Sequence, residues 1–458
     1  MRPVVRRRLI RLRRTLRLWR LAARRAGAFL PHVVRRRLTR SEQARAELDR
    51  TFAIRSASDV ARELGQMKGA AMKAGQLVSF IAEALPEEAK AVLATLQSDA
   101  PPMAPSLAEE VVRTELGDEP SVLFDRWEPL PVAAASIGQV HRARLWDGRD
   151  VAVKVQYPGV ADAIGADLAN VKVLYQMVSA FAYKGLDVRG TVDELRARIV
   201  EELDYRKEAA NQRHFGELYA GHPFIRIPAL VPELCTDRVL VSEWVDGRTW
   251  ADFEAGATEE ARQRAAEVLF RFTQQSVYLH RIFNGDPHPG NYRFHDDGTV
   301  TFLDFGMVKR WSDDEVAALW PVIDPLLAAD PEGTVREMVR AGFLPAEHGL
   351  DPAAVYAYVS APYIPFLTEE FDYSRTFVAD TLGSILDVRG PYRDVVERLN
   401  LPTSFVVLDR VVWGISALLG RLAARNRWRA ILEEYRHGAP PATPLGELEA
   451  RWRETRGS

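Results

Sequence analysis

The chain has 458 residues, more than a single hydrophobic core accommodates, so two or more folded parts are expected. Its hydrophobic content of 47% and charged content of 27% are typical of a globular protein. The single cysteine, Cys235, excludes an intrachain disulfide and a cysteine-based metal site, and it favours a reducing compartment.

Residues 1–40 are predicted to form a basic arm. They contain fifteen arginines and no acidic residue, so the remaining chain carries 46 Lys and Arg against 63 Asp and Glu. Apolar residues recur at helical spacing along one face: Val5, Leu9, Leu12, Leu16, Trp19 and Ala23. The pattern favours a helix on an anionic membrane surface, where each basic residue contributes roughly 1 kcal/mol. An organelle transit peptide, a solvated tail and nucleic-acid binding are the alternatives. Because no folded nucleic-acid module follows the arm, nucleic acid is not an expected partner.

Residues 41–125 are predicted to form a helical extension. Its centre reads QMKGAAMKAGQ, in which Lys73 and Gln76 are three residues apart and emerge on the same helix face. Lysines on a helix are more often solvated than functional, so this segment gains meaning only from the motifs that follow. Pro101 and Pro102 mark a linker after it.

Residues 126–245 begin with the stretch PVAAASIGQVHRARLWDGRDVAVKVQ, which predicts three short strands, the last carrying Lys154. A lysine on such a strand, beneath a tight hairpin, suits the binding of nucleotide phosphates. The hairpin is rich in alanine where glycines would let a backbone close over phosphates, so a stiffer loop is expected. The expected nucleotide contacts in this stretch are Ala133, Ala134, Ala135, Ser136, Ile137, Gly138, Val140, Ala152 and Lys154.

Two further segments complete this region. The helical sequence EELDYRKEAANQRHF offers three acids, Glu202, Asp204 and Glu208, of which one could pair with Lys154 and another with Lys73. An exposed acidic helix face is the alternative. A strand at 238–242 then leads into Glu243 and Val245, whose backbone groups suit a hinge that binds an adenine edge.

The most informative stretch is NGDPHPGN followed by FLDFG. Asp286 and Asn291 are five apart on a loop rich in Pro and Gly, and Asp304 follows after a strand-like run at 299–303. Phosphoryl transfer needs this arrangement: Asp286 faces the attacking hydroxyl or water, while Asn291 and Asp304 hold Mg²⁺ against nucleotide phosphates.

Helices are predicted for most of residues 310–440. The longest apolar run there, at 411–420, has ten residues and predicts a buried helix rather than a transmembrane one. The last segment, 438–458, is predicted to be a frayed polar tail.

In this order, Lys73-x-Gly75-Gln76, AAASIGQVH, VAVK, ELDYRKEAAN, DPHPGN and LDFG resemble the UbiB/AarF/ADCK family of atypical protein-kinase-like proteins. The resemblance spans about residues 64–423. It implies an α+β, two-lobed protein-kinase-like fold with a small β-containing N-lobe, a helical C-lobe and an N-terminal helical extension carrying the KxGQ motif. The corresponding boundaries are 1–40 for the arm, 41–125 for the extension, 126–245 for the N-lobe with a helical insert, 246–437 for the C-lobe and 438–458 for the tail.

The resemblance also implies residue roles. Lys73 and Gln76 would regulate the site by contacting the ExD motif, Glu202 to Asp204. Lys154 would bind phosphates with Glu208 as its partner, although the family pattern also allows Glu202 in that place. Two features depart from the family pattern. Asn284-Gly285 replaces a common His-Ala, and the sequence predicts none of the C-terminal transmembrane helices that many bacterial members carry.

The expected function is that of an atypical kinase or ATPase that uses ATP or ADP with Mg²⁺. It would support isoprenoid-quinone or other lipid metabolism, with a lipid or quinone precursor as ligand, and protein-kinase activity is doubtful. The expected location is cytoplasmic and peripheral to a membrane, or an organelle matrix if residues 1–40 are a transit peptide. A small-molecule kinase of the aminoglycoside/choline type and a nucleotide-sensing scaffold without catalysis are the alternatives.

Overall fold

A computed structural model describes residues 103–135, 137–160, 203–385, 392–400 and 403–457, with isolated positions between 39 and 51. These residues belong to two compact units. The first takes its residues from 1–142 and 154–203, and the second from 143–153 and 204–458. The predicted arm and most of the predicted extension, including Lys73 and Gln76, lie outside the described residues.

From residue 103 onward, the described part of the first unit has two helices followed by short strands. Helix α1 (Pro105–Leu116) has proline at its first position and ends at Gly117, whose φ of 91° suits a glycine C-cap. Helix α2 (Pro120–Leu123), β1 (Arg126–Trp127), β2 (Ala133–Ala134) and β3 (Gly138–Arg144) follow. β2 pairs antiparallel with β3, Ala133 opposite Val140. The amide of Glu128 donates to the carbonyl of Arg142, which aligns the chain after β1 with β3.

A buried polar pair organises β3. The Gln139 side chain lies 2.8 Å from the Nε2 of His141 and accepts a hydrogen bond from the Met103 amide. The His141 ring stacks on Trp127 at 4.6 Å. Both buried polar side chains thus have partners, as burial requires.

Strands β3 and β4 (Asp150–Gln156) are consecutive and each is divided between the units. Their connection turns at Gly148, where the backbone has a φ of 89°. In the second unit β6 (Val239–Glu243) lies beside β4, and the Trp244 amide donates to the Asp150 carbonyl. The strands predicted around Lys154 and at 238–242 are confirmed.

The second unit is mainly helical. Its elements before the candidate site are α3 (Tyr205–Leu218), β5 (Ile225–Arg226), α4 (Trp250–Gly256) and α5 (Glu259–Tyr278). Those that follow it are α6 (Asp313–Leu327), α7 (Pro331–Arg340), α8 (Pro352–Val359), β11 (Phe371–Asp372), α9 (Phe377–Ile385), α10 (Arg393–Arg398), α11 (Thr403–Arg421), β12 (Arg425–Asn426), α12 (Trp428–Arg436) and α13 (Pro444–Gly457). Helix α5 runs through the core of this unit, and Leu269 and Phe270 on it are almost completely buried.

The C-terminal segment differs from its prediction. Residues 444–457 form helix α13, whose Glu449 is completely buried, so the predicted frayed tail is wrong for this stretch. Arg271 of α5 is also fully buried and contacts Glu267 at 2.7 Å, Glu434 of α12 at 2.8 Å and Glu449 at 3.2 Å. This Arg271 cluster, comprising Glu267, Arg271, Glu434 and Glu449, attaches α13 to the core. The polar sequence of this segment did not predict its attachment, because charged side chains make the main contacts.

Within the described part of the chain, the helices are all too short or too polar to cross a membrane.

Candidate active site

The candidate site is built on two loops that leave one β-ribbon. Strand β7 (Ile282–Asn284) pairs antiparallel with β10 (Val308–Arg310), Asn284 opposite Val308. The loop after β7 carries Asp286, and the loop before β10 carries Asp304. The Gly285 amide donates to the Met307 carbonyl at 2.7 Å, so the ribbon continues to the base of both loops.

Strands β8 (Tyr292–Phe294) and β9 (Val300–Phe302) form the second connection between the loops. They pair antiparallel, and β9 also pairs in parallel with β5. The Leu303 amide donates to the Asn291 carbonyl at 3.0 Å. Two residues that are twelve apart in sequence therefore lie on adjacent backbone segments.

Asp286 sits in a compact turn of the first loop. Its amide donates to Asn284 Oδ1 at 2.9 Å, and its carbonyl accepts from the His288 amide at 2.8 Å. Asn291 Nδ2 donates to the Asp286 carbonyl at 3.0 Å and to its Oδ2 at 3.3 Å. His288 is exposed, and its Nδ1 accepts from the Gly290 amide, which shapes the turn. The structure thus brings Asp286 and Asn291 together, as predicted.

Asp304 and Glu208 lie close to each other in the second unit. The Gly306 amide donates to Asp304 Oδ1 at 2.9 Å. A Cβ placed on Gly306 would lie 3.3 Å from Asp304 Oδ1 and 3.6 Å from Glu208 Oε2, so both carboxylates border this glycine. Glu208 is buried on α3, with only 5% of its surface exposed. A Cβ at position 306 would crowd Asp304 Oδ1 and would be in ordinary van der Waals contact with Glu208.

Phe305 holds the second loop against α3. Its side chain is fully buried and its ring lies 4.9 Å from that of Phe215. Asn211 Nδ2, also on α3, donates to the Phe305 carbonyl at 3.1 Å. The apolar anchor and the hydrogen bond together set the position of the preceding Asp304.

The donor set fits a magnesium ion bound with a nucleotide. Asn291 donates to Asp286 through its Nδ2, so Oδ1 is the atom of its side chain that would serve as a metal ligand. Mg²⁺ is commonly held by one or two protein oxygens with substrate phosphates and water completing the shell. Asn291 Oδ1 and an Asp304 carboxylate oxygen match that pattern. Among the described residues there is no group of three or more His, Cys, Asp or Glu suited to hold a metal by itself.

The predicted phosphate loop is a tight hairpin. The Ala135 amide donates to the Gly138 carbonyl at 2.9 Å, and the Tyr157 amide donates to the Ile137 carbonyl. Ala133 and Ala134 are exposed, whereas Ile137 is buried. The described non-glycine residues with positive φ are Arg281, Ala329 and Ala423. The hairpin residues 133–135 are not among them, so the alanines of the hairpin keep ordinary backbone conformations. Ser136 lies outside the described residues.

Lys154 lies half-buried on β4, in the first unit, whereas Ala152 on the same strand belongs to the second. Ala152 is also half-buried, and so is Val140 on β3. The strand alternates, with the buried Val151, Val153 and Val155 on the opposite face from Ala152 and Lys154.

Part of the backbone of the predicted hinge makes hydrogen bonds within the protein. The Glu243 amide donates to the Ala229 carbonyl at 2.7 Å, and Glu243 Oε2 accepts from the Ala229 amide. Glu243 itself is exposed and Val245 is half-buried. The amide of Glu243 is thus occupied, and its role in binding a nucleotide stays a prediction.

Asp204 has a clear local role. It is the N-cap of α3 and its side chain accepts from the Arg206 amide at 3.1 Å and the Lys207 amide at 3.3 Å. Its predicted regulatory contact with Lys73 and Gln76, like the predicted role of Glu202, concerns residues outside the described part.

Sequence reasoning missed two asparagines that assemble the site. Asn284 accepts from the Asp286 amide through Oδ1 and donates to the Asp304 carbonyl through Nδ2, so one side chain links both loops. Its departure from the family pattern was the available signal. Asn211, inside the EAAN motif, anchors Phe305, and only the fold brings it there.

Several known proteins are similar to this chain. A model of the ABC1 atypical kinase-like domain matches residues 95–338. The chain is 28% identical over 382 residues to the atypical kinase COQ8, mitochondrial, of Saccharomyces cerevisiae, covering 82% of this chain and 75% of that protein. It is 33% identical over 280 residues to Protein ACTIVITY OF BC1 COMPLEX KINASE 8, chloroplastic, of Arabidopsis thaliana, covering 60% of this chain and 37% of that protein. The chain thus spans well under two thirds of the length of some relatives.

The fold also matches a solved structure. Rv3197 of Mycobacterium tuberculosis, determined in complex with erythromycin, superposes with a TM-score of 0.61 at 31% identity, covering 86% of this chain and 98% of that one. This match confirms the predicted kinase-like fold, with its β-containing N-terminal part and helical C-terminal part. The chain belongs to the ABC1 atypical kinase-like family, the UbiB/AarF/ADCK proteins that its motifs resemble.

Proposed function

We propose that this chain binds Mg²⁺ and ATP or ADP and hydrolyses ATP or transfers its γ-phosphate. The observation that carries the proposal is the linkage of Asp286, Asn291 and Asp304 by Asn284 and by the β7–β10 ribbon. The loops hold one carboxylate for a proton and two oxygen donors for a metal, as phosphoryl transfer requires.

Each residue of the proposed site has a separate role. Asp286 accepts the proton of the attacking hydroxyl or water, and Asn291 keeps that carboxylate oriented through its Nδ2. Asp304 and Asn291 Oδ1 would hold Mg²⁺, and Lys154 would bind phosphate oxygens. Bound Mg²⁺ supplies charge stabilisation of the transferring phosphoryl group. Glu208, beside Asp304, is the proposed partner that orients Lys154.

The biological setting is proposed from the relatives and from the basic arm. Relatives named COQ8 and ACTIVITY OF BC1 COMPLEX KINASE carry mitochondrial or chloroplastic in their names, which favours an organelle or membrane context. We propose that residues 1–40 bind an anionic membrane surface and that the activity supports isoprenoid-quinone or other lipid metabolism. Liposome-stimulated ATP turnover that survives deletion of residues 1–40 would contradict the role of the arm.

The central test is Asp304→Asn. We expect release of γ-phosphate to fall by at least about 10²-fold, because an amide is a poor substitute for an anionic metal ligand. Asp296→Asn is the matched control, since its carboxylate is 97% exposed on the turn between β8 and β9. Turnover by Asp304→Asn equal to that of the control would refute the proposal.

A further inference from the structure

Helix α11 passes unusually close to the loop that carries Asp286. A Cβ placed on Gly414 would lie 3.3 Å from Pro287 Cβ and 3.6 Å from its Cδ, and far inside van der Waals contact of its Cγ. Pro287 directly follows Asp286. The missing side chain at Gly414 is what allows the proline ring to lie on the helix.

The helix is held in place on either side of this contact. Val411, Ile415 and Leu418 are buried in the main core of the second unit. Trp413 is buried in a smaller cluster with Ala361, Val378 and Leu382. Further along, Gly420 packs directly against the Ser374 carbonyl, with no room for a Cβ. A helix fixed in this way cannot retreat from an added methyl group at Gly414 without disturbing close-packed side chains.

The loop would therefore give way, and its shift would reach the reacting groups. The Asp286 carbonyl, one bond from Pro287, accepts from the His288 amide and from Asn291 Nδ2. Asn291 Nδ2 also contacts Asp286 Oδ2. Moving Pro287 would change the position of the proposed proton acceptor relative to the proposed metal ligand.

We propose that Gly414 is a positioning residue for the Asp286 loop. Because Gly414 has no side chain, Pro287 can pack directly against helix α11, and this contact fixes the distance between Asp286 and Asn291. The inference rests on the proposed function of these two residues. Position 414 lies outside residues 95–338, the stretch that the family model matches.

The test is a double-variant cycle in the full-length protein. Gly414→Ala is expected to lower kcat by about 10- to 100-fold, because a displacement of about 1 Å costs that much in an oriented site. It should also weaken binding of Mn²⁺ with ADP, measured by electron paramagnetic resonance, through Asn291. Gly383→Ala is the matched control, since it lies in helix α9 with no atom near a Cβ. It should keep wild-type turnover.

Pro287→Ala removes Cγ and Cδ, of which Cγ is the atom that would overlap with the new methyl group. In that background the further change Gly414→Ala should alter kcat by less than about 2-fold, within the range of independent effects. An equal fold loss in both backgrounds, or wild-type kcat and Mn²⁺ binding in folded Gly414→Ala, overturns the inference. If Gly414→Ala does not fold, the double variant decides. A folded, active protein supports the contact. An inactive or unfolded one refutes it.

The same series separates this inference from the proposed function. A wild-type protein that turns over ATP while Gly414→Ala does so equally well refutes only the positioning role. A wild-type protein that neither turns over ATP nor binds Mn²⁺ with ADP refutes both.

Discussion

Two groups of acids in the second unit are handled in different ways. In the Arg271 cluster, a fully buried guanidinium donates to Glu267 and Glu434 and contacts Glu449, while Tyr435 and Thr443 add hydrogen bonds. In the loop site, defined as Glu208, Asp286, Asn291 and Asp304, Asp304 accepts from the Gly306 amide and Asp286 from Asn291. Asp286 and Asp304 are only partly buried.

The difference shows how structural acids can be distinguished from acids that we propose to be functional. A buried guanidinium cancels carboxylate charge and supplies several N–H groups in fixed geometry, which ties distant elements together. In the loop site, neutral N–H groups of Gly306 and Asn291 orient Asp304 and Asp286 without adding positive charge themselves. Burial alone would lower the pKa of Arg271. Hydrogen bonding to Glu434 and the surrounding negative charge outweigh burial and raise this pKa above the usual range. The pKa of Glu449 is raised by its burial.

The largest expected effect is at the loop site. Asp286→Asn should lower turnover by about 10²–10⁴-fold, the usual contribution of a positioned general base. Its amide still fills the same space, so the thermal unfolding midpoint should match that of the wild type. Phosphate-release kinetics and calorimetry measure the two quantities. Full activity would contradict the proposed role of Asp286 as the proton acceptor.

The next effect is expected in the Arg271 cluster and concerns stability. Arg271→Met should lower the free energy of unfolding by about 3–5 kcal/mol, because three buried carboxylates lose their cation. Combining it with Glu434→Gln and Glu449→Gln should recover part of the loss by removing two of those charges. Urea denaturation measures all three proteins. A loss below about 1 kcal/mol would mean that the cluster relaxes to water.

A pH effect is expected where α13 meets His222. Burial and nearby Arg453 and Arg271 lower the pKa of His222 to about 3, and burial lowers that of His280 to about 4. Both histidines are neutral in the folded protein, whereas the unfolded chain takes up protons below its ordinary value of 6.5. Stability is thus fully present above pH 6.5 and falls as the pH drops toward the folded values.

His222→Asn isolates this contribution. Asn Oδ1 can replace His222 Nδ1, which accepts from the Phe224 and Ile225 amides, but asparagine does not titrate. The loss of unfolding free energy between pH 6.5 and pH 5 should shrink by about 1–2 kcal/mol relative to the wild type. Chemical denaturation at the two pH values measures it, and an unchanged loss would contradict the assignment.

The smallest effect distinguishes two roles of Asp204. Asp204→Ala should cost about 1 kcal/mol by removing the cap of α3, whereas Asp204→Asn should cost little because it can still accept both amides. If Asp204 is also a regulatory acid, Asp204→Asn will change ATP turnover at constant stability. If it is only a cap, turnover will follow the wild type.

The sequence alone determined the features that are local along the chain. Asp286, Asn291 and Asp304 lie within nineteen residues, and short turns and strands between them leave few other arrangements. The strand of Lys154 was predicted from its alternating residues for the same reason. The Ala-rich hairpin was also predicted, because its turn residues are consecutive.

Only the tertiary structure decided the contacts between distant segments. Glu208 meets Gly306 and Asp304, Asn211 holds Phe305 from 94 residues away, and Glu434 reaches Arg271 across 163 residues. Gly414 on helix α11 packs against Pro287 of the Asp286 loop. No periodicity encodes these pairs, because side chains that are far apart in sequence meet only where packing of the whole core places them. The polar segment at 444–457 shows the same limit: a buried arginine on α5 determines that it folds onto the protein.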